Sequence, residues 1–211
     1  MPELYIITGS NGAGKSTVGI DYLPAQVRNN YQIFDGDKLF LSKRRELYPQ
    51  HAPTHKEARK LANEWVINQF EFLVNDALSR KDIFAYEGHF SNDSTWDIPK
   101  RFKENGYTIT FIFFGLDNTA LSEMRVVERS KVGGHYVNPI EIDLNFYGNL
   151  KKLNQYSSLI DNLQVVDTSE TRHRVLFQMV NKKITSALPY EELPDWFKNH
   201  LHAFCEMISA H

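Results

Sequence analysis

The chain has 211 residues, and its share of hydrophobic (42%) and charged (24%) residues is typical of a folded globular protein rather than a disordered or fibrous one. Its 24 Lys and Arg residues nearly balance 26 Asp and Glu residues, which disfavours bulk binding to nucleic acid because that needs a basic excess. A single cysteine, Cys205, excludes an internal disulfide, and no apolar run is long enough to span a membrane. We therefore expect a single-domain, cytoplasmic protein over residues 1–211.

Short runs of β-branched and aromatic residues alternate with longer helical patterns along the chain. This alternation is typical of βαβ units around a mostly parallel sheet flanked by helices. Five strands are predicted, at residues 4–8, 31–34, 83–86, 107–114 and 163–166. The predicted fold class is therefore α/β.

Four helices are predicted outside the phosphate-binding region. Residues 57–78 are apolar around much of the helix circumference, so we expect this helix to be buried on more than one side, within a helical insertion at about 38–80. Further helices are expected from Asp117 or Asn118 to Ser130 and at 150–159. A C-terminal helix at about 194–209 carries a single apolar stripe, which should pack on the core rather than receive a partner.

A phosphate-loop motif follows the first predicted strand. Residues 9–17 fit the pattern G-x-x-x-x-G-K-[ST], whose glycines let backbone N–H groups turn inward around phosphates. Lys15 is expected to reach the β- and γ-phosphates of ATP, and Ser16 to coordinate Mg²⁺. A purely structural glycine turn does not explain the Lys-Ser pair. The candidate nucleotide-binding residues are Gly9, Ser10, Asn11, Gly12, Ala13, Gly14, Lys15, Ser16 and Thr17.

Acidic residues follow the second and third predicted strands. Asp35 and Asp37 come after the second, and Glu87 after the third, on the sheet edge where ligands bind. Either Asp can serve as the base that takes a proton from an attacking hydroxyl, with the other assisting Mg²⁺ or substrate through water. Glu87 is a candidate for binding an acceptor hydroxyl or a water on Mg²⁺. The structural alternatives are a helix cap for the Asp residues and a solvated turn for Glu87.

Two arginines share one face of the helix after the fourth predicted strand. Arg125 and Arg129 are four residues apart and precede Gly133 and Gly134, a possible hinge. We predict a lid at about 125–150 that closes over the γ-phosphate, where both guanidinium groups stabilise the transferred charge. Residues 181–184 lack the Asp of the Asn-Lys-x-Asp guanine motif, which argues against a GTPase.

The order of these signals resembles the zeta toxin-like family of phosphate-loop kinases and putative ATPases. The resemblance covers about residues 4–160. It includes Phe-Asp-Gly-Asp at 34–37, Tyr-Glu-Gly at 86–88, and Arg-Val-x-x-Arg-x-x-x-Gly-Gly-His-x-Val at 125–137. It implies a nucleoside-kinase-like fold, Asp37 as the base, Glu87 at the acceptor, and ATP with Mg²⁺ as cofactors. Characterised toxins of this family phosphorylate UDP-N-acetylglucosamine, and a protein antitoxin is a possible partner.

Two functions follow from this resemblance. The first is a small-molecule kinase whose catalytic residues are Asp37, Lys15, Arg125 and Arg129. Its candidate acceptor-binding residues are Asp35, Glu87, His89 and His135. The second is an ATP-binding or ATPase switch that acts through a protein partner, since residues 138–150 lack the additional arginine that many relatives carry.

Overall fold

The computed structural model describes residues 1–131 and 137–210. Within that part the strands form one seven-stranded sheet, in the order β2-β3-β1-β4-β5-β6-β7. The first five strands pair in parallel, whereas β6 and β7 pair antiparallel at one edge. The strands are β1 Glu3–Gly9, β2 Phe34–Asp35, β3 Phe84–Glu87, β4 Thr108–Gly115, β5 Asn162–Asp167, β6 Arg174–Val180 and β7 Lys183–Ala187.

Helices cover the sheet, and the predicted α/β fold is confirmed. Strand β4 is apolar and almost wholly buried, as expected of a parallel strand with both faces covered. The helices are α1 Lys15–Val18, α2 Ala25–Asn30, α3 Gly36–Leu47, α4 His55–Arg80, α5 Asp97–Glu104, α6 Thr119–Lys131, α7 Pro139–Gln155, α8 Asp195–His200 and α9 His202–Ser209. In the described ranges, no helix is long and apolar enough to cross a membrane.

Strands β6 and β7, which form a hairpin, are not among the five strands predicted from the sequence. Its two-residue turn consists of Asn181 and Lys182, both at positive φ (48° and 61°). Such turns usually carry Asn-Gly or Asp-Gly because glycine tolerates positive φ without steric cost. With lysine in the second position, the most recognisable sequence signal of a hairpin is missing.

Helix α4 differs from its prediction in how much of it is buried. Ala58, Ala62, Val74 and Ala77 face the interior, but Phe72 is 63% exposed, and Ile67 and Leu73 are exposed as well. The expectation of burial on more than one side is therefore wrong. One stripe of the helix packs against α3 and, through Phe70, against aromatic side chains of β2 and β3, so the rest of its apolar surface stays open to solvent.

Helix α1 is very short, and α7 begins well before the predicted start at residue 150. The phosphate-loop helix α1 is a single turn followed by a 3-10 turn at Gly19–Tyr22, because Pro24 holds Leu23 in an extended conformation. Helix α7 begins at residue 139, where Asn138 caps Pro139 at the first position.

The predicted C-terminal helix is interrupted at Leu201, whose ψ of 52° separates α8 from α9. Its apolar stripe nevertheless packs on the core as predicted, since Phe197, Leu201 and Phe204 are fully buried.

Candidate active site

The carboxyl ends of β1, β2 and β3 meet at one edge of the sheet. Glu87 is paired in register with Ile7 on one side and with Asp35 on the other. Since β1 runs directly into the phosphate loop, this pairing places both strand-end acids beside that loop. The predicted meeting of the acidic turns with the glycine-rich loop is observed.

The loop between β1 and α1 closes around its own lysine. The Lys15 ammonium donates to the carbonyl oxygens of Gly9 at 3.0 Å and Ser10 at 2.9 Å. Gly9 has a φ of +131°, and a Cβ atom there would lie 2.0 Å from the Phe114 carbonyl oxygen, so only glycine fits. The Ser10 hydroxyl is buried without a hydrogen-bond partner among the described residues. The loop thus has the geometry of a phosphate cradle with a buried cation at its base.

Burial and nearby charges set the pKa of Lys15. Burial lowers this pKa to about 8, while the carboxylates of Glu87, Asp37 and Asp35 oppose the shift and the Arg129 guanidinium adds to it. All four side chains therefore lie within electrostatic range of the ammonium. Sequence motifs separated by more than one hundred residues converge on one charged cluster.

Ser16 and Glu87 are in direct contact. The Ser16 hydroxyl donates to the Glu87 carboxylate at 2.8 Å. Burial raises the pKa of Glu87, and the neighbouring Asp35 and Asp37 raise it further, whereas Lys15 and the Ser16 hydrogen bond lower it. A hydroxyl and a carboxylate are hard oxygen donors of the kind that Mg²⁺ binds, so this pair fits a magnesium ion shared with a nucleotide phosphate. Within residues 1–131 and 137–210, no cluster of three His, Cys, Asp or Glu side chains forms a separate metal site.

The structure distinguishes the two aspartates after β2. Asp35 caps helix α3, since its carboxylate accepts a 3.0 Å hydrogen bond from the Lys38 backbone N–H. Asp37 lies in the first turn of α3, is exposed, and lines a cavity of about 620 Å³ between α3 and α4. The structural alternative of a helix cap therefore applies to Asp35 and not to Asp37.

The two predicted lid arginines occupy different surroundings. Arg125 donates to the Ser169 carbonyl at 2.9 Å and to the Gly12 carbonyl at 3.4 Å, so it supports the outer side of the loop. The charge of Arg129 lowers the pKa of both Lys15 and His89, so it acts electrostatically on the phosphate loop and on the segment after β3. The two side chains lie four positions apart on α6 and therefore share a helix face. The predicted hinge glycines, Gly133 and Gly134, and His135 lie outside the described residues, so lid closure stays a prediction.

His89 is partly buried next to the loop. Burial, followed by the charges of Lys15 and Arg129, lowers its pKa well below the usual range, while a hydrogen bond with the Gly9 backbone acts in the opposite direction. The ring is therefore neutral at physiological pH. A neutral imidazole can position an acceptor by hydrogen bonding without adding another positive charge.

Sequence reasoning missed a buried asparagine that joins the loop to the segment after β3. Asn149 of α7 is 0% exposed and accepts a 2.5 Å hydrogen bond from the Phe90 backbone N–H. Its amide nitrogen lies 3.5 Å from the Gly9 carbonyl oxygen and 3.4 Å from Nδ1 of His89. One turn earlier, Asn145 donates to the Asn11 side chain at 3.0 Å. The only sequence signal was a pair of asparagines four apart in a helix that was predicted to begin later.

The zeta toxin family model matches residues 1–179. No match is found among curated protein sequences. One similar structure is a chain of the AvrRxo1-ORF1:AvrRxo1-ORF2 complex with sulphate ions, at 13% identity and a TM-score of 0.70. The same complex with ATP gives 12% identity and a TM-score of 0.68.

Both AvrRxo1 matches cover 95% of this chain but only 64% of the other, so this chain spans less than two-thirds of their length. A third similar structure comes from the PezAT chromosomal toxin-antitoxin system of Streptococcus pneumoniae. It has 17% identity and a TM-score of 0.59, and the match covers 100% of this chain and 87% of that one. At these identities, the likeness establishes the fold.

Proposed function

This chain belongs to the zeta toxin family, and from that premise and the geometry of its site we propose that it is an ATP-dependent phosphotransferase. It transfers the γ-phosphoryl group of ATP to a hydroxyl of a small molecule, for which a nucleotide-sugar such as UDP-N-acetylglucosamine is the proposed acceptor. The observation that carries the proposal is the position of Asp37. Its carboxylate lines an open cavity and also lies within electrostatic range of Lys15 in the phosphate loop.

The phosphate loop is the proposed ATP site. Residues 9–17 supply backbone N–H groups for the phosphates, and Lys15 supplies the charge that meets the β- and γ-phosphates. Lys15 is already held in place by the carbonyls of Gly9 and Ser10, so little side-chain entropy is lost when ATP binds. Mg²⁺ held near Ser16 and Glu87 would neutralise charge on the phosphates.

Asp37 is the proposed base. Its carboxylate takes the proton from the acceptor hydroxyl, whose oxygen forms a bond to the γ-phosphorus as the bond to the β-phosphate oxygen breaks and ADP leaves. Asp35 is proposed to hold the start of α3 and thereby the position of Asp37. Arg129 is proposed to stabilise the charge on the transferring group, and Arg125 to support the loop that holds the phosphates.

Glu87 and His89 are the proposed acceptor contacts, together with His135. Glu87 ends β3 and His89 lies two residues beyond it, beside the loop and on the same sheet edge as Asp37. The cytoplasm is the proposed location, because ATP and nucleotide-sugars are present there. An antitoxin is the proposed protein partner, in keeping with the toxin-antitoxin system in which one structural neighbour occurs.

The test is γ-labelled ATP turnover by the purified protein, with and without a panel of nucleotide-sugars. We expect label to appear in one acceptor, and Lys15→Ala to lose this transfer. ATP hydrolysis that no acceptor stimulates, or ATP binding without turnover, would contradict the kinase and favour the ATP-binding switch.

A further inference from the structure

We propose that two buried hydroxyls, those of Ser122 and Thr168, are positioning groups of the phosphate loop. Each donates to a backbone carbonyl of the loop and thereby aims the N–H of the following residue at a bound phosphate. This inference rests on the proposed ATP site, because it takes the loop to bind phosphate. It adds two residues from outside the motif, one on α6 and one directly after β5, to the groups that determine ATP affinity.

Ser122 holds the first of these carbonyls. It lies on α6, is 0% exposed, and its hydroxyl donates to the Asn11 carbonyl oxygen at 2.6 Å. The loop packs tightly against α6 at the next residue, since a Cβ atom on Gly12 would lie 2.9 Å from Cβ of Arg125 and 3.1 Å from the Ser122 carbonyl oxygen. Because a buried carbonyl without a donor is costly, the hydrogen bond keeps the Asn11 carbonyl turned toward α6.

Thr168 holds the second carbonyl. It is 1% exposed, and its hydroxyl lies 3.1 Å from the Ala13 carbonyl oxygen and 3.1 Å from the Gly115 carbonyl oxygen. A hydroxyl has a single proton to donate. The Gly115 carbonyl also accepts from the Thr168 backbone N–H at 3.0 Å, so the hydroxyl proton is available for Ala13. The end of β5 is thereby tied to the loop two residues before Lys15.

The direction of these carbonyls determines the direction of the next N–H groups. Both peptide units are trans, and a trans unit is planar, with its C=O and N–H pointing in opposite directions. With their carbonyls held by the two hydroxyls, the following N–H groups point away from α6 and from the end of β5. These N–H groups belong to Gly12 and Gly14, and among the described residues neither meets an acceptor. Both are therefore available to phosphate oxygens in the cradle.

The experiment is a calorimetric titration of the full chain with Mg²⁺ and a non-hydrolysable ATP analogue. The variants are Ser122→Ala and Thr168→Val, which remove the hydroxyls, and Thr168→Ser, which keeps one. Thr168→Val retains the shape of the side chain, so it tests the inference even if Ser122→Ala fails to fold. The matched control is Ser209→Ala, because that hydroxyl also donates to a backbone carbonyl but does so within α9, to Cys205 at 3.1 Å. Urea unfolding identifies the variants that are folded under the titration conditions.

We expect Ser122→Ala and Thr168→Val each to weaken binding of the ATP analogue about tenfold, because hydrogen bonds to charged groups are worth about one order of magnitude in affinity. Thr168→Ser and Ser209→Ala should bind it as the wild type does. In the transfer assay, the two hydroxyl-deleted variants should raise KM for ATP more than they lower kcat, since the loop contacts the phosphates before and during transfer alike. A purely structural role would lower the urea midpoint and leave the affinity of the folded chain unchanged.

Unchanged affinity in either hydroxyl-deleted variant would remove that residue from the positioning role. Equal losses in Thr168→Val and Thr168→Ser, a loss of the same size in Ser209→Ala, or no binding of the analogue by the wild type would overturn the inference. Label transfer from ATP to the acceptor, measured on the same samples, separates this inference from the proposed function. Transfer and affinity that do not depend on the hydroxyls remove the positioning role and leave the kinase. Hydroxyl-dependent affinity without transfer by the wild type removes the kinase and leaves the positioning role.

Discussion

Ser16 and Glu87 are 71 positions apart in the chain, yet the serine hydroxyl donates to the glutamate carboxylate at 2.8 Å. The contact forms because β3 lies directly beside β1, so the acid at the end of β3 reaches the first turn after the phosphate loop. It joins the proposed nucleotide site to the proposed acceptor segment through two oxygen ligands suited to one magnesium ion.

Glu87→Gln should raise the Mg²⁺ concentration needed for half-maximal phosphoryl transfer about tenfold or more. The amide keeps the shape and can still accept from Ser16, but the negative charge is lost, and changes around metal ligands typically cost 10–100-fold. The measurement is the transfer rate against Mg²⁺ concentration. Glu71→Gln, on the exposed side of α4, is the control and should leave the curve unchanged. An identical Mg²⁺ requirement in Glu87→Gln would remove Glu87 from the metal site.

Asp37→Asn should abolish most phosphoryl transfer, whereas Asp35→Asn should retain it. Asparagine caps a helix as well as aspartate does, so Asp35→Asn preserves the hydrogen bond from Lys38 while removing one charge. Loss of a general base costs about 10²–10⁴-fold in rate. Initial rates and urea unfolding of both variants provide the comparison. Near-normal transfer in Asp37→Asn, with loss in Asp35→Asn, would exchange the two roles.

Asn149→Leu should destabilise the fold and also impair ATP use. The substitution leaves the Phe90 N–H buried without its acceptor, which costs about 1–3 kcal/mol of unfolding free energy. It also frees the segment after β3 from the loop, and small misplacements of this kind can lower rates up to about 100-fold.

Asn154→Leu is the matched control for Asn149→Leu, since Asn154 is also on α7 but accepts from Ala203, away from the site. We expect both variants to unfold at lower urea concentration, and only Asn149→Leu to lower kcat/KM for ATP. Equal kinetic effects in the two variants would assign Asn149 a purely structural role.

The lowered pKa of Lys15 predicts opposite responses of activity and stability to alkaline pH. Its ammonium loses the proton as pH rises through about 8, so kcat/KM for ATP, which reports on the free protein, should fall above that pH. In unfolded chains the lysine pKa is near 10.5, so between about pH 8 and 10 the unfolded state binds more protons. The contribution of Lys15 to unfolding free energy therefore rises with pH in that window.

Initial rates and urea unfolding between pH 7 and 10 test this pair of responses. Lys15→Met should lack the rise in stability that the wild type owes to Lys15. A kcat/KM for ATP that stays constant from pH 7.5 to 9.5 would show that Lys15 does not titrate in this range.

The phosphate loop, the parallel sheet and the acids at its edge could all be predicted from the amino-acid sequence alone. A phosphate loop consists of consecutive residues, so the positions of Lys15 and Ser16 follow from local chain geometry. Asp35 and Glu87 could be placed on one edge because parallel strands all end at the same side of a sheet. Membership of the zeta toxin family follows from the same residues and is confirmed by the family match over residues 1–179.

The hydrogen-bond partners of these residues, in contrast, depend on how distant parts of the chain pack together. The cap formed by Asp35, the support of the loop by Arg125 and the buried contacts of Asn149 depend on elements that are distant in the chain. The β6–β7 hairpin lacked its usual turn residues, and the exposed apolar side of α4 had the periodicity of a buried helix. Periodicity and spacing describe each element separately, whereas hydrogen-bond partners and burial depend on how the elements pack together.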